Sequence, residues 1–219
     1  MLKKQIGQVS GNGDTELPSR RGRPPGDPEV KRAELLKAAT SVIAQEGYAS
    51  ASLRKVAQRA GYTTGAVTYY FANKEELILA LVESRFDRYD AMIDDIQADT
   101  AIEGLFERWL RLTTGDPEFW PVMSELLAHA RHDPKLAAVY KQRYARFRDV
   151  YTSILAAGQA RGTVRDDIPA DLLADQLSAM GDGWALLFPL EPERFTPSRV
   201  KELVAAAIAL IAPVPGTRR

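Results

Sequence analysis

Ala57, Gly61 and Val67 stand four and six residues apart, and this spacing constrains the fold more than any other feature of the chain. Two short helices that cross steeply need a small residue where they approach, and Ala57 supplies it. The tight turn between them needs a residue that accepts a left-handed backbone, and Gly61 does so without a steric penalty. The second helix must dock through an apolar side chain, here Val67, with Val56, Ala60 and Tyr70 completing the inner face. Leu53 to Phe71 therefore reads as a helix-turn-helix, a unit that places its second helix in a DNA major groove. An ordinary helix pair in an all-α protein carries the same offsets, so the rest of the chain must separate the two readings.

Charge is one such feature. The formal net charge is zero, but residues 1–75 hold 12 Lys and Arg against 7 Asp and Glu, a net +5, and the remainder is −5. A basic amino-terminal third on an acidic body fits a part that meets a polyanion joined to a part that does not. The absence of cysteine excludes disulfides, thiolate metal sites and a cysteine nucleophile. No run of about 18 apolar residues is present, so no membrane span is expected, and a cytoplasmic protein is anticipated.

Residues 1–26 are rich in Gly, Pro, Ser and charge, and too poor in large apolar residues to offset the entropy of ordering. They are expected to form a disordered basic arm. Asp27-Pro28 then has the form of an N-cap followed by a proline in the first helical turn. Leu35, Ala39, Val42 and Ile43 lie on one face of the helix that follows, which Gly47 ends. Asn73 and Glu76 have capping-box spacing ahead of a long helix carrying Leu77, Leu81, Met92 and Ile96. Further helices are expected near 101–113, 118–131, 134–161, 170–188 and 198–212, with no segment of convincing strand alternation. The fold class is all-α with about nine helices. The expected organisation is an arm over 1–26, a three-helix reading head over 27–73, and a six-helix regulatory and dimerisation body over 74–219.

From Gly47 to Leu77 the chain resembles the DNA-binding domain of the TetR/AcrR family. The resemblance is carried by the helix-turn-helix and by Tyr69-Tyr70-Phe71-Ala72-Asn73-Lys74-Glu75-Glu76-Leu77, an aromatic cluster followed by a lysine and acids opening the next helix. Thr68 and Tyr70 depart from the family's usual tyrosine and histidine, and Ala51 from a frequent threonine, leaving Ser50 or Ser52 to cap the second helix. The resemblance implies that residues 64–70 enter the major groove of double-stranded DNA. Thr63, Thr64, Gly65, Ala66 and Thr68 are then the residues offered to base edges and thymine methyls. Ser52, Arg54, Lys55, Tyr69, Tyr70 and Lys74 are the candidates for phosphates, although both tyrosines could equally be packing residues. Phe71 is expected in the core. Arg21-Gly22-Arg23-Pro24 matches a minor-groove arm motif, which makes Arg21 and Arg23 candidate DNA contacts.

A single reading head covers few bases, so a homodimer on a palindromic operator is expected. Leu177, Met180 and Trp184 of one helix and Leu203, Ala207 and Ile208 of the last are the candidate dimer face, with Gly181 and Gly183 permitting close approach. The resemblance also implies a small-molecule effector. Trp109, Trp120, Met123 and Tyr144, drawn from an aromatic-rich middle, are the candidate pocket, although such residues also build ordinary cores. His129 and His132 lack an evident third or fourth ligand, so no metal is assigned, and no cofactor or catalytic residue is expected. The rival reading is an all-α carrier or enzyme in which 47–77 is only a helix hairpin.

Overall fold

The computed structural model describes residues 27–94, 104, 108–109 and 115–214, apart from the Met92 side chain. The basic arm with Arg21 and Arg23, Ile96, and most of the helix expected near 101–113 lie outside the described residues.

Eight α-helices and two short 3-10 turns make up the described chain, without strands. The helices are α1 (Pro28–Glu46), α2 (Leu53–Ala60), α3 (Thr64–Tyr70), α4 (Lys74–Asp94), α5 (Phe119–Ala130), α6 (Pro134–Arg161), α7 (Ala170–Leu187) and α8 (Pro197–Ile211). Local chemistry sets most of their ends. Asp27 accepts from the Glu29 amide at 2.9 Å, and Asp133 from the Lys135 and Leu136 amides at 2.9 and 3.1 Å. Ser52, rather than Ser50, caps α2 by accepting from the Lys55 amide. At the head of α4, Asn73 accepts from the Glu76 amide while the Glu76 carboxylate reaches back to the Ala72 amide, both at 2.8 Å. This reciprocal bonding is that of a capping box, shifted by one residue on its return arm.

Two buried clusters hold the molecule together. The larger runs unbroken from Leu35, Val42 and Val67 in the first three helices, through Leu77 and Leu81 of α4, to Leu126 of α5 and Tyr140 of α6. The amino-terminal helices are thus joined to the body by continuous apolar packing. The smaller cluster joins Leu155 of α6, Leu173 and Leu177 of α7, and Ala207 and Ile211 of α8. Here the structure corrects part of the expected dimer face. Leu177 is only 3% exposed and Ala207 only 2%, because both point inward into this smaller cluster. Met180, Trp184 and Ile208 are half-buried against the same cluster. The outward face of α7 and its continuation instead carries Leu172, Leu186 and Leu190, and α8 presents Leu210. No described helix is long and apolar enough to cross a membrane.

Candidate nucleic-acid interface and inner cavity

The turn between α2 and α3 is closed by Gly61 at φ 73°, ψ 24°, a left-handed conformation that a side chain would strain. Its amide and that of Tyr62 bond back to Gln58 and Ala57. Val56, Ala57 and Val67 are fully buried where the helices meet, so the opposite side of α3 must face outward. Thr64, Gly65, Thr68 and Tyr69 are exposed there, and Ala66 is half-buried. Tyr69 is 81% exposed, its ring meeting that of Tyr70 edge-on at 5.1 Å. Tyr70 is half-buried against the core and Phe71 wholly buried.

Several candidate contacts have local partners. The Thr63 hydroxyl caps α3 by accepting from the Ala66 amide at 3.2 Å, and the Thr68 hydroxyl donates to the Gly65 carbonyl at 3.0 Å. Lys55 pairs with Glu46 at 2.5 Å, whereas Arg54 stands exposed at the start of α2. Lys74 differs most from expectation. Its ammonium donates to the Tyr48 carbonyl at 2.6 Å and lies 3.9 Å from the centre of the Tyr48 ring. Partial burial lowers its pKa below the ordinary lysine value, and the ammonium is engaged at Tyr48.

Tyr48 is also held from the body. The Glu125 carboxylate of α5 accepts from the Tyr48 amide at 2.6 Å, and the His129 ring lies against the Tyr48 ring at 3.8 Å. His129 is therefore a packing residue, and no group of metal-ligating side chains occurs among the described residues. Sequence reasoning missed this junction because its partners are 77 residues apart.

The same α5 helix walls a cavity of about 270 Å³ inside the body. Trp109, Trp120, Met123 and Tyr144, expected as a set, all line it, joined by Phe86 and Phe119. Tyr89 and Tyr151, also in the lining, bond hydroxyl to hydroxyl at 2.7 Å, and burial raises both pKa values, that of Tyr151 to about 12. Asp182 stands at the rim and accepts from the Tyr144 hydroxyl at 3.5 Å. Desolvation by the cavity walls raises its carboxyl pKa to about 6, although the residue keeps an exposed edge. Neither Asp182 nor Ser178 was anticipated. A lone acid between Gly181 and Gly183, inside the apolar stretch Leu177 to Leu187, was the available signal.

An all-helical chain that turns a recognition helix outward and encloses an apolar cavity has the build of a helix-turn-helix DNA-binding regulator. Residues 35–81 match the family described as bacterial regulatory proteins, tetR family, and residues 98–213 match the BetI-type transcriptional repressor, C-terminal family. The chain belongs to the TetR family of transcriptional regulators. It is 30% identical to the HTH-type transcriptional repressor SCO4008 of Streptomyces coelicolor over 168 residues, covering 74% of this chain and 82% of that one. Among solved structures, a transcriptional regulator from Rhodococcus sp. Rha1 superposes with a TM-score of 0.71 at 25% identity, covering 82% and 95% of the two chains. A regulator from Saccharomonospora viridis in complex with choline superposes with a TM-score of 0.65 at 25% identity, covering 83% and 95%.

Proposed function

We propose that this chain is a homodimeric, sequence-specific repressor that binds a palindromic operator in the cytoplasm and is released from it by a small molecule. The observation that carries the reading is the double duty of α5. Trp120 and Met123 on this helix line the cavity, while Glu125 and His129 hold Tyr48 beside the helix-turn-helix. A ligand that requires a different position of α5 then also shifts the reading head, by as much as its affinities for the two arrangements differ. In this reading residues 27–73 are the reading head and 74–219 the body. Thr63, Thr64, Gly65, Ala66 and Thr68 meet bases, and Ser52, Arg54, Tyr69 and Tyr70 meet phosphates. Lys55 must leave Glu46 to join them, and Lys74 serves the Tyr48 junction. Two copies pair through the outer faces of α7 and α8, setting the recognition helices about one DNA turn, roughly 34–36 Å, apart.

A retardation assay on DNA flanking the protein's own gene, at two salt concentrations, tests the reading. A retarded complex that survives competitor DNA and weakens steeply with salt is expected. Salt-insensitive or absent binding to every fragment would leave a helical carrier as the remaining interpretation.

A further inference from the structure

The side chains of α3 limit how it can tell one base pair from another. From Thr63 to Tyr70 the chain holds no Arg, Lys, Asn, Gln, Asp or Glu. The two-point pairings that select guanine through Arg or Lys, and adenine through Asn or Gln, are therefore absent from this helix. The cations that flank it in sequence are engaged elsewhere, Arg59 with Ser41, Gln45 and Glu46, and Lys74 at Tyr48. Thr64, Gly65, Thr68 and Tyr69 are what α3 exposes.

A threonine hydroxyl has one proton and two lone pairs. Thr68 commits its proton to the Gly65 carbonyl at 3.0 Å. Guanine N7 and O6 and thymine O4 are all acceptors, so Thr68 has nothing left to donate to them. Thr63 differs, because its hydroxyl accepts from the Ala66 amide and keeps its proton. The bond to Gly65 also holds χ1 of a β-branched side chain, and with it the direction of the Cγ2 methyl. Gly65 lies on the same helix face, three residues earlier. Its φ is not positive, and an added Cβ would meet only the Thr63 hydroxyl at 3.9 Å. Neither backbone nor packing within the chain calls for glycine there, although glycine weakens a helix. The missing side chain leaves a gap on the outward face, beside a fixed methyl group.

We propose that Thr68 and Gly65 are specificity-determining residues that select one pyrimidine of each half-site by its 5-methyl group. The methyl of a thymine enters the gap over Gly65 and packs on Thr68 Cγ2, and no hydrogen bond from Thr68 to that base takes part. A cytosine methylated at C5 presents the same group, so the contact answers to the methyl and not to the identity of the base. This assignment rests on the reading of α3 as the helix that enters the major groove.

The test uses the full-length protein and a duplex that it selects from a randomised pool. Each thymine of one half-site is replaced in turn by deoxyuridine, which deletes the 5-methyl and leaves every hydrogen-bonding group of the base pair in place. At one position the wild type is expected to bind about fourfold more weakly, the factor that one uncovered methyl implies. Thr68→Ser keeps the hydroxyl and deletes only the methyl, and should bind the thymine and uridine duplexes alike at that position. Thr68→Val keeps the methyl and should keep the preference. Gly65→Ala favours the helix itself but fills the gap, and should weaken the thymine duplex more than the uridine one. Exchanging cytosine for 5-methylcytosine at the same pair should strengthen wild-type binding by a similar factor. The proposal is overturned if no thymine shows a uridine penalty that Thr68→Ser removes. It is equally overturned if the preference survives Thr68→Ser and is lost in Thr68→Val, which would assign the contact to the hydroxyl. A pool from which no sequence is enriched defeats the DNA-binding reading itself, whereas an enriched sequence without such a thymine defeats this assignment alone.

Discussion

Burial raises the Asp182 carboxyl pKa from 3.8 to about 6, and a pKa raised by folding has a consequence that stability measurements can read. The folded state holds the proton more tightly than the unfolded state, so stability falls as pH rises through the window from 3.8 to about 6 and stays lower above it. Asp182→Asn removes that cost. Its melting temperature should exceed that of the wild type at about pH 7.5, and the gain should shrink as the pH approaches about 4. Calorimetry at the two pH values checks this, and an equal gain at both would show that the charge is not responsible. On the reading head, Thr64→Ala should cost about 1–3 kcal/mol of operator binding and relax base preference. Arg54→Ala should instead weaken all duplexes alike and flatten the salt slope by about one unit. Titrations on operator and scrambled DNA distinguish the two effects.

Among the elements, α6 and the loop after it meet where Gly158 faces Val164. A Cβ at Gly158 would fall 2.5 Å from the buried Val164 Cγ2. Gly158→Ala should therefore destabilise by about 1–3 kcal/mol, read as a lowered urea midpoint, and Val164→Ala in the same chain should recover part of the loss. The helix ends were largely legible in the sequence, because Asp27-Pro28, Asn73, Asp133-Pro134 and Gly162 carry their own stop and start chemistry. The four cavity residues were legible as a set because large aromatics concentrate in the middle of the chain. What periodicity could not decide was which apolar face of α7 and α8 turns inward. Leu177 and Leu186 are both leucines of one helix, and only packing against α6 buries the first and leaves the second 57% exposed. Nor could a cap or a repeat reveal Lys74 or Glu125 at Tyr48, since those contacts exist only once distant segments have docked. The amino-terminal arm is testable as a unit. Deleting residues 1–26 removes Arg21 and Arg23 without touching the described core, and should lower affinity most on operators with A·T-rich flanks. Equal affinity of the two forms on such operators would remove the minor-groove role.

For the whole molecule, the pairing surface sets whether two reading heads act together. Leu210 is 61% exposed on α8, so Leu210→Glu tests pairing without breaching the intramolecular core that Ile208 half-enters. The combined variant Leu186→Glu, Leu210→Glu should sediment as a folded monomer at micromolar concentration and lose operator binding, because a buried unpaired charge opposes association. A variant that remains a dimer would move the interface elsewhere. The position of α5 between cavity and Tyr48 has a further consequence when both sites are occupied. Linkage is reciprocal, so whatever factor the ligand removes from DNA affinity, DNA must remove from ligand affinity. Operator-bound copies are then the least sensitive to the small molecule and free copies the most sensitive. The dose needed for derepression therefore rises with the number of operator sites a cell carries, and extra operator copies on a plasmid would shift the threshold without any change in the protein.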